Sequence, residues 1–106
     1  MDACQVSPDE HLVAQRYIGD PFLLDGLKFD LRIYVLLYGV NPLRIFMYQE
    51  GLVRLATEQY VKPGDSNLKN LYMHLTNYAI NKNSKNFVQN MSQGYEDNDE
   101  AHKRSL

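Results

Sequence analysis

Hydrophobic residues between positions 28 and 48 recur with a period of two. In "KFDLRIYVLL" (28–37), apolar side chains occupy every second position and charged or polar ones fill most of the others. This alternation, rich in β-branched and aromatic residues, predicts a strand over about 28–38 with one apolar and one polar face. "LRIFMY" (43–48) alternates in the same way. The four-residue connector "GVNP" (39–42) predicts that the two strands pair antiparallel.

Shorter apolar runs flank this predicted hairpin. "HLVAQRYI" (11–18) predicts a short strand, and "FLLDG" (22–26) is a brief apolar stretch that ends in an Asp-Gly turn signal. Glu50-Gly51 predicts a turn into a third strand, "LVRLA" (52–56).

The second half of the chain is more polar. Residues 62–70 predict an exposed loop, and the asparagines within 71–87 favour turns over a regular helix because their side chains compete for backbone hydrogen bonds. The acidic stretch 89–100 is predicted to be mobile. Asp99 or Glu100 is expected to begin a helix.

These predicted elements amount to three or four strands with almost no helix to cover them. A small sheet with one apolar face needs a second layer to bury that face. We therefore predict an α+β chain that forms part of a larger fold, with mainly antiparallel strands, irregular loops and a truncated C-terminal helix.

Composition and charge narrow the classes of partner. The chain has 106 residues, 44% of them hydrophobic, and a net charge of −2, which favours neither nucleic acid nor a membrane. Residues 12–86 carry nine Lys and Arg against six Asp and Glu, a local excess of +3. A basic middle between acidic ends is suited to binding anions. Cys4 is the only cysteine, so no disulfide framework or cysteine metal site is expected.

The polar face of the long strand has two possible interpretations. Lys28, Asp30 and Arg32 form a row about 13 Å long, because same-face residues on a strand lie roughly 6.6 Å apart. The row is either a solvated face on which Asp30 pairs with its neighbours or a platform that binds phosphate and ribose. The row alone favours the solvated face.

Other candidate residues also have two interpretations each. The segment 15–18 is either an edge strand or a strand that offers backbone groups to an adenine edge. Thr76-Asn77 is either a helix cap or a ligand contact, and His74 alone is more typical of a hydrogen-bonded core histidine. Arg54, between Val53 and Leu55, is either a surface residue or an anion hook.

Taken together, four segments resemble the tubulin–tyrosine ligase-like family of ATP-grasp ligases. In chain order they are "QRYI", "KFDLRIYVLL", "PLRIFMYQEGLVRLAT" and "MHLTNYAINKNSKNF". Within the family, "PLRIFMYQEGLVRLAT" and the stretch "NYAINK" of the last segment look most like the glutamate-adding members. The resemblance implies that 12–88 is the central part of an ATP-grasp domain, between a polar segment 1–11 and the segment 89–106.

The resemblance implies a reaction and its partners. Family enzymes use ATP and Mg²⁺ to phosphorylate a carboxylate, and the amine of an incoming amino acid attacks the acyl-phosphate. For a polyglutamylase the partners would be free glutamate and the C-terminal tails of tubulin in microtubules. The expected location is the cytoplasm and cytoskeleton, with the cilium or basal body included.

Site residues follow from the positions that match the family's motifs. The resemblance implies that the adenine is lined by Gln15, Arg16, Tyr17 and Ile18. It also implies that Lys28 reaches a phosphate or the adenine edge, that Asp30 holds the ribose, and that Thr76 and Asn77 contact the nucleotide. Arg32 would be the catalytic residue, facing the γ-phosphate and the activated carboxylate. The implied contacts to the incoming glutamate are Arg54, Tyr78 and Lys103.

Parts of the family's site are expected outside this chain. No stretch before residue 12 resembles its Gly-rich phosphate strands, and its Mg²⁺ ligands are expected beyond residue 106. We therefore predict no ligase activity from this chain alone. The alternatives are a truncated, non-catalytic module that binds a nucleotide or a partner, and a glycine-adding relative.

Overall fold

The computed structural model describes residues 9–89 and 101–106, which form one four-stranded antiparallel sheet and two short helices. The strands, in both chain and sheet order, are β1 (Leu23–Leu24), β2 (Leu27–Val40), β3 (Leu43–Gln59) and β4 (Lys103–Ser105). The helices are α1 (Leu71–His74) and α2 (Tyr78–Asn81). The prediction of a mainly antiparallel, partial α+β fold is confirmed.

A tight turn joins β1 to β2 where the sequence predicts one. Asp25 and Gly26 have φ angles of 51° and 76°, and Leu24 pairs with Leu27 across them. Positive φ at both central residues gives a hairpin turn whose twist matches the flanking strands. This turn sets the register in which β2 begins, and therefore which of its side chains face the polar side.

The hairpin of β2 and β3 confirms the two predicted strands, but the predicted turn at Glu50-Gly51 is wrong. β3 continues through both residues, and the register shifts between the pairs Ile33–Gly51 and Val35–Met47. The extra residues are accommodated in a bulge. A Cβ at Gly51 would lie 2.7 Å from the carbonyl oxygen of Arg32, so the absence of a side chain permits this close strand approach.

Two further predictions about the ends of the chain are wrong. Residues 11–18 form no strand, because they pair with no neighbouring strand and are held by side-chain contacts instead. The predicted C-terminal helix is also absent from residues 101–106. Lys103–Ser105 pairs with the middle of β3 as β4. The predicted mobility of 89–100 and helix start at Asp99 or Glu100 fall almost entirely outside the described residues.

The polar segment that follows β3 is compact despite its short helices. Residues 65–69 form turns within the predicted loop, and α1 and α2 are each only four residues long. Buried Asn81 joins α2 to the sheet. Its Oδ1 accepts hydrogen bonds from the backbone and hydroxyl of Thr57, and its Nδ2 donates to the carbonyls of Leu75 and Asn77. This amide fixes the loop that carries the predicted motif at 76–78.

The hydrophobic core is small and lies at one end of the sheet. Its buried apolar residues are Val53, Leu55, Ala56, Met73 and Ala101. The far end of the β2–β3 hairpin, by contrast, is exposed throughout residues 31–50. The predicted shortage of covering structure is therefore visible as apolar strands that are in contact with solvent.

Candidate functional site

A row of charged side chains crosses three strands of the sheet. Asp30 on β2 lies opposite Arg54 on β3, and Arg54 lies opposite Lys103 on β4. Residues directly opposite each other share a face, and neighbouring strands are about 4.8 Å apart. The structure therefore brings together a predicted nucleotide contact and two predicted glutamate contacts.

The carboxylate of Asp30 is bound by two neighbouring side chains. Arg54 donates from Nε to Oδ1 at 2.7 Å and from Nη2 to Oδ2, and Thr76 Oγ1 donates to Oδ2 at 2.9 Å. A carboxylate has about four acceptor positions, and these bonds occupy three of them. One position on Oδ1 remains for a ligand hydroxyl, while Arg54 keeps three N–H groups for an anion.

The pKa values of this pair reflect their mutual contact. Partial burial opposes ionisation of Asp30, but the hydrogen bonds from Arg54 and Thr76, with the nearby charge of Arg32, lower its pKa below the usual 3.8. The hydrogen bond to Asp30 correspondingly raises the pKa of Arg54. Both groups are charged at neutral pH, so the site presents a fixed ion pair with unused guanidinium donors.

Lys28 is held at the start of the same polar face of β2. Its Nζ donates to the hydroxyl of Tyr17 at 3.2 Å and to the backbone carbonyl of His74 at 2.9 Å, and it lies 4.4 Å from the centroid of the Tyr17 ring. An ammonium group has three donors. One N–H therefore remains for a ligand such as a phosphate oxygen.

A cleft of about 610 Å³ lies beside Lys28. Its wall includes Lys28 and Phe29. It also includes all four predicted adenine contacts, which are Gln15, Arg16, Tyr17 and Ile18. Segment 15–18 forms this wall as irregular chain, which is a correction to the strand expected there. The mixture of aromatic, aliphatic and polar groups suits a flat base with hydrogen-bonding edges.

The remaining predicted residues either lie close to the charged side chains of Asp30 and Lys103 or are open to solvent. Buried Thr76 contacts Asp30, whereas Asn77 is exposed at the start of α2, where its side chain makes no capping hydrogen bond. Tyr78 lies near Lys103, and Nζ of Lys103 is 5.9 Å from the centroid of the Tyr78 ring. Arg32 is exposed and lies opposite Leu52. The predicted set is therefore largely contiguous, with Asn77 and Arg32 open to solvent.

Two buried residues of the site were not predicted to contribute to it. His74 contacts both Tyr17 and Lys28, and Asn81 fixes the loop that carries Thr76 and Tyr78. The interpretation of His74 as a hydrogen-bonded core histidine agrees with its burial. Local sequence carried no signal for its contact with Tyr17, because 57 positions separate the two residues.

The described residues contain neither a side-chain cluster suited to a metal ion nor a helix that could cross a membrane. In residues 9–89 and 101–106, no group of three or more His, Cys, Asp or Glu side chains could hold a metal ion. No helix in that part of the chain is long and apolar enough to cross a membrane. That the Mg²⁺ ligands lie beyond residue 106 stays a prediction.

Comparison with known proteins identifies the class to which this fold and site belong. The profile of the Tubulin-tyrosine ligase family matches residues 2–106. The chain therefore belongs to the tubulin-tyrosine ligase family, as the four motifs predict.

Individual relatives narrow the resemblance within the family. The chain is 57% identical over 90 residues to the tubulin polyglutamylase TTLL13 of Mus musculus, covering 85% of this chain and 11% of the relative. It is 50% identical over 102 residues to the tubulin polyglutamylase TTLL7 of Mus musculus, covering 96% and 11%. It is 54% identical over 101 residues to a probable beta-tubulin polyglutamylase of Tetrahymena thermophila, covering 95% and 8%.

These relatives are much longer than the chain. It spans about one tenth of the length of the relatives it matches. Its family membership is shown over nearly all of its own residues, whereas the activity of a complete protein depends on sequence that the alignment does not cover.

Proposed function

We propose that this chain is the central part of an ATP-dependent ligase that adds glutamate to glutamate side chains in tubulin tails. Membership of the family and the names of the similar polyglutamylases support the class of reaction. The single structural observation that carries the proposal is the continuous polar surface from Lys28 through Asp30 and Arg54 to Lys103. The proposed setting is the microtubule cytoskeleton, including that of cilia and basal bodies.

The nucleotide would lie along the first half of that surface. The cleft beside segment 15–18 has the size and mixed polarity for an adenine, and Lys28 has one N–H left for a phosphate oxygen. Asp30 has one acceptor position left for a ribose hydroxyl. This donor and acceptor set fits ATP, while the Mg²⁺ that accompanies it would be held by residues outside the described ranges.

The incoming amino acid would lie along the second half. Arg54 keeps three N–H groups, and Lys103 adds a second cation one strand away. Two carboxylates of a glutamate can each pair with one of these cations. Tyr78, half-exposed beside Lys103, would pack against the aliphatic part of the substrate.

The proposed chemistry joins these two halves. Transfer of the γ-phosphoryl group of ATP to the acceptor carboxylate gives an acyl-phosphate and ADP. Attack by the glutamate amine forms the amide bond, releases phosphate and loses one proton. Exposed Arg32, on the same face as Asp30, would stabilise the negative charge that develops during both steps.

The experiment that tests this proposal uses the full-length protein that contains the chain. We expect Lys28→Ala to weaken binding of a non-hydrolysable ATP analogue by about tenfold or more, since it removes a charged phosphate contact. Lys69→Ala, an exposed lysine in the loop before α1, is the matched control and should bind normally. Binding is measured by isothermal titration calorimetry.

The activity assay completes this test. We expect incorporation of labelled glutamate into tubulin tails by the wild-type protein and not by Lys28→Ala at subsaturating ATP. Preferential incorporation of glycine would instead assign the protein to the glycine-adding relatives. ATP-analogue binding without any transfer would support a non-catalytic module and contradict the ligase assignment.

A further inference from the structure

A chain of hydrogen bonds connects Lys28 to a buried histidine. Lys28 Nζ lies 3.2 Å from Tyr17 Oη, which lies 2.7 Å from Nδ1 of His74. On the other side of the ring, Nε2 of His74 lies 3.0 Å from the backbone carbonyl oxygen of Asn67. His74 is only 7% exposed, and both of its ring nitrogens are engaged.

The partners of the ring determine the direction of these bonds. The carbonyl of Asn67 can only accept, so Nε2 of His74 carries a proton and donates it. Lys28 can only donate, so the Tyr17 oxygen accepts from it, and the Tyr17 hydroxyl donates to Nδ1 of His74. A hydroxyl that both donates and accepts in this way has a fixed orientation.

The same histidine holds Lys28 a second time. Its backbone carbonyl accepts from Lys28 Nζ at 2.9 Å. The ammonium group is therefore located by a hydroxyl and a carbonyl that both depend on the position of His74. A freely rotating lysine would lose more side-chain entropy on binding a phosphate than one already located in this way.

The contact also fixes the wall of the cleft. Residues 9–22 form no regular secondary structure, so side chains must hold segment 15–18 in place. The rings of Tyr17 and His74 meet edge to face at 5.4 Å, and Tyr60 packs on the same histidine at 6.2 Å while donating to the carbonyl of Gly19 at 3.0 Å. Burial and the neighbouring Tyr17 raise the pKa of Tyr60 to about 12, so this donor keeps its proton at neutral pH.

We propose that His74 is a positioning residue for nucleotide binding, which fixes the ammonium group of Lys28 and the wall at 15–18 through the hydroxyl of Tyr17 and its own backbone carbonyl. This inference rests on the proposed function, because it takes the cleft beside Lys28 to be the nucleotide site. Tyr17 thereby acts mainly through its hydroxyl inside the protein and less through contact with the base.

A double-mutant cycle in the full-length protein tests the inference, with binding of the non-hydrolysable ATP analogue as the readout. Tyr17→Phe keeps the ring and removes the hydroxyl, and His74→Leu removes both ring nitrogens. We expect each to weaken binding about three- to tenfold, the range associated with one hydrogen bond. The double variant should be no weaker than the weaker single one, because both remove the same connection.

Conservative variants separate positioning from general destabilisation. In His74→Gln, a side-chain amide can accept from Tyr17 and donate to Asn67, so we expect it to recover most of the affinity lost in His74→Leu. Tyr38→Phe, on the exposed half of β2, is the matched control and should bind normally. Melting temperatures are recorded for every variant, and Tyr17→Phe decides the question if His74→Leu does not fold.

The outcomes distinguish this inference from the proposed function. If Lys28→Ala loses affinity while Tyr17→Phe binds like the wild type, the inference is wrong and the nucleotide site stands. If the two single losses multiply in the double variant, Tyr17 and His74 act independently and the inference is again wrong. If the wild-type protein does not bind the analogue, the proposed function and this inference are both wrong.

Discussion

The ion pair between Asp30 and Arg54 joins the nucleotide half of the proposed site to the amino-acid half. Arg54 uses two N–H groups on Asp30, which fixes the plane of the guanidinium and the direction of its remaining donors. A partly exposed pair of this kind adds only about 0–1 kcal/mol to the free energy of unfolding. Its main effect would therefore be on substrate geometry.

This geometry predicts that Asp30→Ala affects both substrates. We expect the full-length variant to bind the ATP analogue more weakly and also to show a KM for glutamate raised about tenfold, because Arg54 loses its orienting partner. Isothermal titration calorimetry measures binding of the analogue, and steady-state incorporation of labelled glutamate measures the KM. Asp65→Ala, in the exposed loop, is the control. An unchanged KM for glutamate would show that Arg54 is oriented without Asp30.

Sequence alternation predicted only one side of this pair. It placed Lys28, Asp30 and Arg32 on one face of β2 correctly, because period-two side-chain direction is a local property. The partner of Asp30 depends on the register with β3, and the bulges in that ladder shift the register by amounts that local pattern does not encode. The sequence therefore left both interpretations of Arg54 open, and only the structure shows that Arg54 pairs with Asp30.

Among the secondary-structure elements, β3 depends on one glycine for its continuity. A Cβ at Gly51 would lie 2.7 Å from the carbonyl oxygen of Arg32 and 3.1 Å from the side chain of Leu106. Glu50-Gly51 predicted a turn because glycine is common in turns. Here the glycine serves close packing between strands.

We expect Gly51→Ala to destabilise the protein by about 1–3 kcal/mol, the range for an overpacked site, and to lower activity by displacing Arg32. Gly64→Ala is a matched control, since nothing lies within 4 Å of a Cβ there, and should change stability by less than about 0.5 kcal/mol. Thermal unfolding of the full-length protein measures the stability of both variants. Equal effects would contradict a close-packing role for Gly51.

The attachment of β4 includes a histidine that titrates. Partial burial, with the nearby charge of Arg104, lowers the pKa of His102 below its usual 6.5. Its ring packs on Phe87, and Nδ1 accepts a hydrogen bond from the backbone N–H of Val88 at 3.0 Å. The folded state favours the neutral ring, so the stabilisation is fully present above pH 6.5 and is lost as pH falls through the lowered pKa.

We therefore expect the hydrogen-exchange protection of the Leu55 amide, which donates to the carbonyl of His102, to decrease below about pH 6.5 after correction for intrinsic exchange. His102→Gln should remove this pH dependence, whereas His11→Gln, at an exposed site, should leave it unchanged. A protection factor that stays constant from about pH 7.5 to about pH 5 would contradict the coupling.

Segment 11–18 is an element for which the hydrophobic pattern predicted the wrong secondary structure. Its mixture of apolar and polar residues predicted a strand, yet it forms no ladder and is held through Tyr17. Contacts between residues 57 positions apart leave no trace in local periodicity. The Asp25-Gly26 turn, in contrast, was predictable because its positive φ angles have a specific residue preference.

At the scale of the whole molecule, residues 9–89 and 101–106 bury little apolar surface for their number. The Cα radius of gyration is 17.4 Å, against about 13 Å for a compact domain of similar size. Large hydrophobic side chains of β2 and β3 are exposed on the far half of the hairpin, including Val35 at 56%, Leu37 at 66% and Met47 at 70%. A contiguous exposed apolar surface on both strands of a hairpin is unusual for an independent soluble domain.

We expect the remainder of the longer protein to cover this hairpin. The isolated 106-residue chain should bind a hydrophobic dye such as ANS and self-associate, and its amides at 33–38 should exchange rapidly. The same amides should be protected in the full-length protein. Equal exchange rates in both would show that the hairpin is exposed in the complete molecule. The sequence already predicted that a covering layer is missing, because it contains several strands with an apolar face and almost no helix to bury that face.

The most direct test of the proposed nucleotide site is a structure of the full-length protein with a non-hydrolysable ATP analogue. We expect the adenine in the cleft beside residues 15–18, the ribose next to Asp30 and a phosphate oxygen within hydrogen-bonding distance of Lys28 Nζ. A nucleotide bound at another surface, with Lys28 and Asp30 in contact only with protein, would contradict it.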